Sequence, residues 1–407
     1  MNLSEIQYAQ EWLLNFQEGD RAVATLLIDR LMLVSASEFV SGITALLDQI
    51  EREKPGKEPS LALYAEREMK KAGYDVLPFF PNSDEGRASG PGIPPVNVDP
   101  NNQDVGSEGA VATLISKYSK DSAHQALSHP GPDALRSGKI RKIVIVTDFV
   151  GSGRRISEML DAFALVASLQ SWKSYGLLSF EVVCYSGTEW GLYVVQKHSL
   201  RPKVRSHIAC PVIDEAFSGS ELGAVKLLCQ NYKKNQPRFP FGFNNTGSLI
   251  AFSHGIPNNA PPILHSESGG WTPLFPSRST SAAGIDSVAD SSAALARNSE
   301  KVLGIREARR VLADPEGEIW THTMLVMDAV RHGVRTSKGL SARTHLPNDR
   351  IEEVLEITKR AGWVTPRNTL TRLGWRELRK PRFFEEEEAE IAISGGGAYF
   401  PTQLRAP

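Results

Sequence analysis

A glycine-containing turn near the middle of the chain has the residues and the spacing to bind an anion. The apolar run Ile143–Val146 predicts a buried strand, and an amphipathic pattern from Arg155 predicts a helix. The turn between them contains Gly151 and Gly153, which let the backbone curl closely around oxygen atoms. A helix N-terminus adds unpaired amides and about half a positive charge, so this segment favours a phosphate group.

Polar side chains of the same turn extend its chemistry. Asp148 stands at the carboxyl end of the predicted strand, where α/β sheets place ligand-binding groups. Thr147, Ser152 and Arg154 add two hydroxyl groups and a guanidinium group. We expect these residues and the two glycines to bind a phosphorylated ligand. The alternative is an ordinary strand–turn–helix connection with a well-formed helix cap.

A second, shorter glycine turn precedes this motif by one helix. Gly106, Ser107 and Gly109 lie ahead of a helical pattern over Ala110–Tyr118. They form a second candidate loop for phosphate oxygens. A plain helix cap on Ser107 explains the same residues equally well.

A proline-rich segment downstream combines a histidine with two amide side chains. The strand-like run Leu249–His254 leads into Asn258 and Asn259, which lie between two prolines. Because proline limits the conformational entropy lost on binding, such a segment suits a preorganised wall of a binding site. His254, Asn258 and Asn259 are therefore candidates for recognising a base or another substrate group. The alternative is a loop that caps the last strand, with His254 satisfied by the core.

The elements that must position these residues alternate between strands and helices. Strand patterns at Ile143–Val146, Phe180–Tyr185 and Arg205–Ile213 alternate with helical patterns from Arg155 and near Leu192. This alternation is typical of a parallel sheet with crossover helices. We therefore expect an α/β fold.

The sequence divides into five regions. We expect a helical N-terminal region at 1–55, an α/β domain at 56–276, a Ser- and Ala-rich linker at 277–299, a winged-helix domain at 300–382, and an acidic, flexible tail at 383–407. Apolar residues recur at helical spacing in this first region up to about Ile50. The run Leu61–Ala65 predicts a first buried strand of the second region.

Composition limits the class of protein. The chain has 407 residues, 41% of them hydrophobic, so it can bury a sizeable core. Its net charge of -1 means that any affinity for nucleic acid must come from a local patch. Cys184, Cys210 and Cys229 are too far apart for a CxxC pair and predict reduced core thiols. Without a signal-peptide pattern or an apolar run of about 18 residues, we expect a soluble cytoplasmic protein without a membrane partner.

The C-terminal region has the element order of a winged helix. Helical patterns lie at Glu318–Val334, Lys338–His345 and Asn348–Ala361. Two strand-like runs around a turn follow them. Positions 331–382 contain 13 Lys/Arg and 5 Asp/Glu, a net charge of +8 that could meet nucleic-acid phosphates. Arg367 and Arg372, on the proposed wing, are the candidate contacts.

Acidic residues on the third helix of this region oppose binding in the major groove. Glu352, Glu353 and Glu356 lie on the helix that would enter the groove, where they would repel phosphates. A module that binds another protein is therefore the alternative to a nucleic-acid-binding domain.

The strand, acidic residue and glycine turn resemble the phosphoribosyl-pyrophosphate motif of type I phosphoribosyltransferases. In that family an apolar strand is followed by two adjacent acidic residues, two more residues, and a Thr/Ser-rich turn with glycine. The resemblance implies that Asp148 holds a ribose hydroxyl and is the catalytic residue, and that Gly151–Gly153 hold the 5′-phosphate. It also implies that the turn at 106–109 receives pyrophosphate, and that Mg²⁺ bridges pyrophosphate and ribose oxygens.

The motif departs from that family at Thr147, where the first acidic residue usually stands. A hydrogen bond to a charged group contributes about 1.5–3 kcal/mol. Loss of one carboxylate should therefore weaken ribose binding by about ten- to a hundredfold without abolishing it.

With the proline-rich segment and the C-terminal region included, most of the chain resembles phosphoribosyltransferase-like proteins of prokaryotic conflict and antiviral systems, including effectors of some retrons. The pair Asn258–Asn259 between prolines and the downstream run Trp271–Arg278 carry this resemblance. It implies an antiviral effector that acts on a nucleotide, a nucleoside or phosphoribosyl pyrophosphate by displacement at ribose C1. It also implies an operon-encoded protein partner or a reverse transcriptase. The alternative is a non-catalytic regulator that senses a nucleotide and binds nucleic acid through its winged helix.

Overall fold

The computed structural model describes most of the chain. The described residues are 2–53, 61–81, 83, 87–95, 107–121, 126–232, 238–267, 269–280, 299, 312 and 314–378. Gly106, positions 281–298 of the proposed linker and the proposed tail from 383 onward lie outside them.

A parallel sheet forms the centre of the fold. In chain order, the strands of the described residues are β1 (Met32–Val34), β2 (Leu61–Ala65), β3 (Lys71–Ala72), β4 (Asp75–Val76), β5 (Ala126–Ser128), β6 (Lys142–Val150), β7 (Ser179–Gly187), β8 (Lys203–Ser206) and β9 (Ile250–Phe252). Within this described part, five strands form the sheet in the spatial order β5–β2–β6–β7–β8, with every neighbouring pair parallel. The predicted α/β fold with a parallel sheet is confirmed.

Helices connect these strands and form both ends of the described chain. They are α1 (Gln7–Leu13), α2 (Glu18–Ile28), α3 (Ala36–Arg52), α4 (Ser107–Asp121), α5 (Pro132–Ser137), α6 (Arg154–Ala164), α7 (Ala167–Ser174), α8 (Glu189–Gln196), α9 (Ile213–Ala216), α10 (Gly219–Asn231), α11 (Pro315–Arg331), α12 (Ser337–Thr344), α13 (Asn348–Arg360) and α14 (Arg372–Leu378). Short 3-10 helices lie at Leu3–Glu5, Phe243–Asn245, Pro262–Leu264 and Pro276–Arg278. Among the described residues, we find no helix with the length and apolar content needed to cross a bilayer.

Apolar residues cover both faces of the sheet at its centre. Ile143 and Ile145 of β6 pack into the cluster that contains the apolar face of α6. Val144 and Val146 point to the opposite face and pack into the cluster that contains residues of α3 and α4. Burial on both faces explains why this strand is a continuous apolar run rather than an alternating one.

The strand order reverses between β2 and β6. The chain leaves β2 toward β5 on one side of the sheet, whereas it leaves β6 toward β7 and β8 on the other. In open parallel sheets, ligands bind in the crevice outside the carboxyl ends of the strands at such a reversal. The residues that follow β2 and β6 are therefore the ones to examine for a site.

The periodicity of the N-terminal region predicted helices throughout, but the region also contains a strand. Met32–Val34 forms β1, which pairs in parallel with β9, and the Met32 amide donates to Leu249 O at 2.8 Å. Ser35 then caps α3, since its hydroxyl accepts from the Glu38 amide at 3.2 Å. The partner strand, more than 200 positions away, supplies the backbone hydrogen bonds that local periodicity could not reveal.

The strand predicted at Arg205–Ile213 is shorter than expected. It ends at Ser206, and Ile213 begins the short helix α9. Pro211 lies between them and has no backbone amide to donate to a neighbouring strand.

The C-terminal unit contains the three predicted helices, α11, α12 and α13, but its wing differs from the prediction. The strand pairing is reduced to one antiparallel bridge between Val364 and Leu370. Arg372, which we had placed on a wing strand, is the first residue of α14. Thr371 caps this helix, because its hydroxyl accepts from the Gly374 amide at 3.1 Å.

This C-terminal unit packs directly against the α/β domain. The Asn348 amide donates to His207 O at 3.1 Å, and the Asn348 side chain donates to Ser206 O at 3.2 Å. The Ala209 amide donates to Ser341 Oγ at 3.3 Å. The first turn of α13 is thus held beside the end of β8.

Candidate functional site

The turn after β6 presents three neighbouring backbone amides. Gly153 adopts a left-handed conformation, with φ of +76°, and is the N-cap of α6. Within the described part of the chain, no hydrogen-bond acceptor contacts the amides of Gly151, Ser152 and Gly153. Amide donors next to a helix N-terminus attract an anion, because the helix dipole adds to their partial positive charge. The turn at 151–153 therefore presents amides from which an anion could accept hydrogen bonds.

The first turn of α8 holds this loop in place. The Thr188 hydroxyl donates to Gly151 O at 2.5 Å and accepts from the Gly191 amide at 2.9 Å. A Cβ atom at residue 191 would lie 2.2 Å from Gly151 O, so only glycine permits this approach. The loop shape is consequently fixed by a helix that lies 35 or more positions downstream.

Asp148 lies at the carboxyl end of β6, where the sequence had placed it. Its Oδ1 accepts from the Phe149 amide at 2.7 Å, and its Oδ2 lies 2.9 Å from His254 Nε2. The side chain retains 14% exposure, so a ligand can still reach it. The structure thus brings two sequence-predicted site residues together.

Aromatic rings orient His254. Its ring stacks on Phe252, with centroids 5.2 Å apart and an interplanar angle of 17°. Phe39 of α3 contacts it edge-on, with centroids 5.4 Å apart. His254 therefore combines both interpretations that the sequence left open, because it packs on core rings and also contacts Asp148.

Glu66 is a site residue that the sequence analysis missed. It follows β2 directly, and its Oε2 accepts from the Thr147 hydroxyl at 2.6 Å. Burial raises the pKa of Glu66 to about 7, although the nearby Arg155 guanidinium opposes this rise. Thr147 Oγ1 is also 3.2 Å from Asp148 Oδ1, so one hydroxyl contacts both carboxylates. An acidic residue immediately after a fully apolar strand was the available signal.

Arg155, rather than the predicted Arg154, reaches this edge of the sheet. Arg155 Nε lies 3.0 Å from Glu66 Oε1, and its Nη2 pairs with Glu108. Arg154 is exposed, with its Nε 3.7 Å from Glu158 Oε1. Sequence alone could not separate adjacent arginines, because their directions depend on the rotation of α6.

The second candidate loop lies close to the first. Ser107 begins α4, and Gly109 lies in its first turn. Glu108, between them, pairs with Arg155. Of the three residues proposed for pyrophosphate, Ser107 and Gly109 are therefore near the site, and Gly106 lies outside the described residues.

A pocket of about 280 Å³ opens beside the phosphate loop. Its lining residues come from the loop, from α8 and from the segment after α10: Gly151, Thr188, Trp190, Asn244, Thr246 and Asn259. Asn259 is 2% exposed and donates to Phe243 O at 3.2 Å and to Thr246 Oγ1 at 3.1 Å. Asn258 is exposed, and its backbone carbonyl accepts from the Phe243 amide. Asn259 thus lies at the pocket, whereas Asn258 supports its wall through the backbone.

The carboxylates at this edge have suitable chemistry for Mg²⁺. Among the described residues, no group of three or more His, Cys, Asp or Glu side chains could hold a metal ion. Mg²⁺ does not require such a group, because it commonly binds through one or two carboxylates and the phosphates of a substrate. Asp148, whose side chain is 14% exposed, offers oxygen ligands of the kind that this ion prefers, whereas both oxygens of the buried Glu66 already contact Thr147 and Arg155.

Two protein-family models match the chain. Residues 9–277 match the family model described as PRTase-CE, and residues 324–406 match the model described as wHTH-PRTase associated. The chain belongs to the PRTase-CE family. The resemblance to phosphoribosyltransferase-like proteins with a C-terminal winged helix is confirmed at this level. We found no match among curated proteins and none among solved structures.

The PRTase-CE match contains every residue of the site described above. It begins within α1, so it includes most of the N-terminal helical region, and it ends at Ser277. That region packs on the segment carrying the pocket wall, since the Trp12 indole donates to Ile263 O at 2.9 Å. The N-terminal helices of this PRTase-CE protein thus support the wall that carries Asn259.

The two candidate nucleic-acid contacts lie in the second matched region. Arg367 is exposed on the turn between the bridged residues Val364 and Leu370, and Arg372 is exposed at the start of α14. Their positions permit contact with a polyanion.

Proposed function

We propose that this PRTase-CE protein binds a phosphorylated ribose and catalyses displacement at ribose C1, as an effector in antiviral defence. Its substrate would be a nucleotide or phosphoribosyl pyrophosphate, both of which carry a 5′-phosphate. The observation that carries this proposal is the row of three open amides at the reversal of strand order, beside an accessible carboxylate on Asp148.

Each residue of the site has a separate role in binding or positioning the ribose. The amides of Gly151–Gly153 hold the 5′-phosphate, and Asp148 accepts hydrogen bonds from the ribose hydroxyls. His254 holds the Asp148 carboxylate in one orientation through its contact at 2.9 Å. The bond from C1 to the leaving group breaks with its electron pair on the leaving group. An acceptor nitrogen or water forms the new bond to C1, and the proton that it loses passes to the leaving group.

The cationic and acidic groups around the loop set its electrostatics. Asp148 would provide a carboxylate ligand for a Mg²⁺ ion, which when bound neutralises negative charge on phosphate oxygens. Arg155 offsets the charge of Glu66 through their contact at 3.0 Å. The site can therefore accept a ligand with several negative charges although it contains two carboxyl groups.

A direct assay tests the enzymatic part of the proposal. The purified protein is incubated with Mg²⁺ and either phosphoribosyl pyrophosphate or a nucleotide, and released pyrophosphate or free base is separated by chromatography. We expect product from the wild type and little from Asp148→Asn. Recovery of every ligand intact from the wild type would contradict catalysis at C1.

Contacts between the two matched regions favour a second candidate function, a regulator that senses a nucleotide. Glu189 of α8 pairs with Lys338 of α12 at 2.7 Å, and the adjacent Thr188 bonds to Gly151 of the phosphate loop. A ligand in the loop could therefore alter the C-terminal unit and its nucleic-acid binding without any reaction.

Expression in cells separates the two functions. An effector freed from its operon-encoded partner, or from an associated reverse transcriptase, should slow growth, and Asp148→Asn should remove the effect. A regulator should be harmless and should bind one defined DNA site.

A further inference from the structure

Helix α8 exposes two aromatic side chains beside the pocket. Trp190 is 61% exposed and Tyr193 is 50% exposed, and their ring centroids are 6.0 Å apart with an interplanar angle of 32°. Aromatic rings of this size usually lose most of their exposure on folding, because their burial stabilises the fold. Two neighbouring rings left exposed on one helix face therefore indicate a binding surface rather than part of the core.

Positive charge accompanies these rings. Lys197 Nζ lies 5.6 Å from the centre of the Tyr193 ring, on the same face of α8. Glu189 is the acidic residue of this helix, and Lys338 neutralises it. Arg154, 75% exposed, follows Gly153, which packs against Gly191 and Val195 of α8. The surface around the rings thus combines aromatic faces with cations.

The segment that carries the lining residue Asn244 has the same combination of side chains. Phe243, 38% exposed, precedes the lining residue Asn244, and its ring centroid lies 6.1 Å from that of Phe239. The guanidinium of Arg238 lies 5.3 Å from the centre of the Phe239 ring. Aromatic and basic side chains therefore accompany both segments that line the pocket, α8 and the segment after α10.

We propose that the pocket receives one nucleotide of a single-stranded nucleic acid, and that the flanking bases stack on Trp190 and Tyr193 while Lys197 contacts the backbone. Proteins that bind single strands combine a positively charged path with aromatic rings on which successive bases stack. The proposal rests on the proposed phosphate-binding role of Gly151–Gly153. It names the substrate as a polynucleotide rather than a free nucleotide.

The dimensions of α8 agree with such a strand. Trp190 to Lys197 spans seven positions, which corresponds to about 10 Å along a helix. Three stacked bases occupy a similar length, at about 3.4 Å for each base. Trp190 also lines the pocket, so the base held there and the bases outside it would meet a continuous aromatic surface.

Two variants outside the pocket lining test the proposal. Binding of a fluorescent short oligouridylate is measured by anisotropy at low salt, and binding of uridine monophosphate by calorimetry. Tyr193→Ala with Lys197→Ala should weaken oligouridylate binding by about five- to 150-fold through the lost stacking, and should leave the mononucleotide affinity unchanged. Tyr74→Ala with Tyr175→Ala removes two other exposed rings and should leave both affinities unchanged.

The remaining outcomes each overturn the proposal in a distinct way. If the wild type binds the mononucleotide but not the oligouridylate, the polynucleotide proposal fails and the phosphate site stands. If it binds neither, the proposed function fails as well. Oligouridylate binding that survives Tyr193→Ala with Lys197→Ala, but is lost with Arg367→Ala and Arg372→Ala, would assign the strand to the C-terminal unit instead.

Discussion

His254 Nε2 lies 2.9 Å from Asp148 Oδ2, although the two residues are 106 positions apart in the chain. His254 follows β9, which pairs with β1, whereas Asp148 belongs to β6 of the five-stranded sheet. The contact therefore joins two sheets at the point where the phosphate loop begins. It fixes the orientation of the carboxylate before any ligand binds.

The first prediction concerns this carboxylate. Asp148→Asn should lower the affinity for phosphoribosyl pyrophosphate at least tenfold, because a charge-assisted hydrogen bond contributes about 1.5–3 kcal/mol. Calorimetry measures the affinity, and circular dichroism checks that the fold is intact. Asp214→Asn, an exposed aspartate that pairs with Lys226, is the matched control. Unchanged binding in Asp148→Asn would show that this residue does not hold the ribose.

The second prediction concerns the space at the phosphate loop. A Cβ atom at residue 151 would lie 2.4 Å from Asn259 Oδ1, so Gly151→Val should abolish nucleotide binding. Ser152→Ala removes one hydroxyl donor to a charged phosphate, worth about 1.5–3 kcal/mol, and should weaken binding about ten- to a hundredfold without abolishing it. Gly223→Val is the control, since nothing lies within 4 Å of a Cβ atom there. Equal and negligible effects at 151 and 152 would mean that the turn only caps α6.

The third prediction concerns pH and Glu66. Burial raises the pKa of this carboxyl from 4.5 to about 7, so folding favours its protonated form. The stability that results is fully present below pH 4.5 and is lost as the pH rises through 7. Glu66→Gln keeps a neutral side chain at every pH and does not lose this stability. Its free energy of unfolding should therefore rise on the order of 3 kcal/mol relative to that of the wild type as the pH increases from 4.5 to 7.

Urea unfolding at pH 5 and pH 8 measures this difference. Glu352→Gln, at an exposed position of α13, is the control. Its free energy of unfolding should change between pH 5 and pH 8 by nearly the same amount as that of the wild type. If the free energy of unfolding of Glu66→Gln differs from that of the wild type by the same amount at pH 5 and at pH 8, Glu66 does not titrate in this range.

The fourth prediction concerns salt and the C-terminal unit. If about half of the net charge of +8 at positions 331–382 meets phosphates, the logarithm of duplex affinity should fall with the logarithm of salt at a slope near -3.6, or near -2.8 for a single strand. Arg367→Ala with Arg372→Ala should flatten the slope by up to about two units. Lys117→Ala with Lys120→Ala, on exposed positions of α4, is the control. A slope of zero would indicate a protein partner, and no binding even at low salt would reject nucleic-acid contact.

The strand, loop and helix around Asp148 could be predicted because their signals are local. An apolar run, two glycines and an amphipathic pattern follow one another without interruption at 143–163. The location of His254 at the same site could not be derived in this way. It depends on the pairing of β1 with β9, and β1 has the apolar spacing of the helices around it.

The position of Glu66 beside Thr147 is a second feature that the sequence could not predict. The sequence suggested that Thr147 replaces a carboxylate of the family motif. In the structure, Glu66 supplies a carboxylate 2.6 Å from that threonine, although it comes from a strand 81 positions earlier. Only the neighbouring positions of β2 and β6 in the sheet bring the two together, and strand order is not written in local periodicity.

The hydrogen bonds of Asn348 to Ser206 and His207 place the α/β domain at the entrance of helix α13. In helix-turn-helix proteins, the N-terminal residues of the recognition helix are the ones that contact base edges. A duplex that contacted this turn of α13 would therefore have to displace the α/β domain from it. The observed affinity for such a duplex would be reduced in proportion to the fraction of molecules in which the two units are apart. Binding of DNA through this turn would therefore require an arrangement of the two units that differs from the one described.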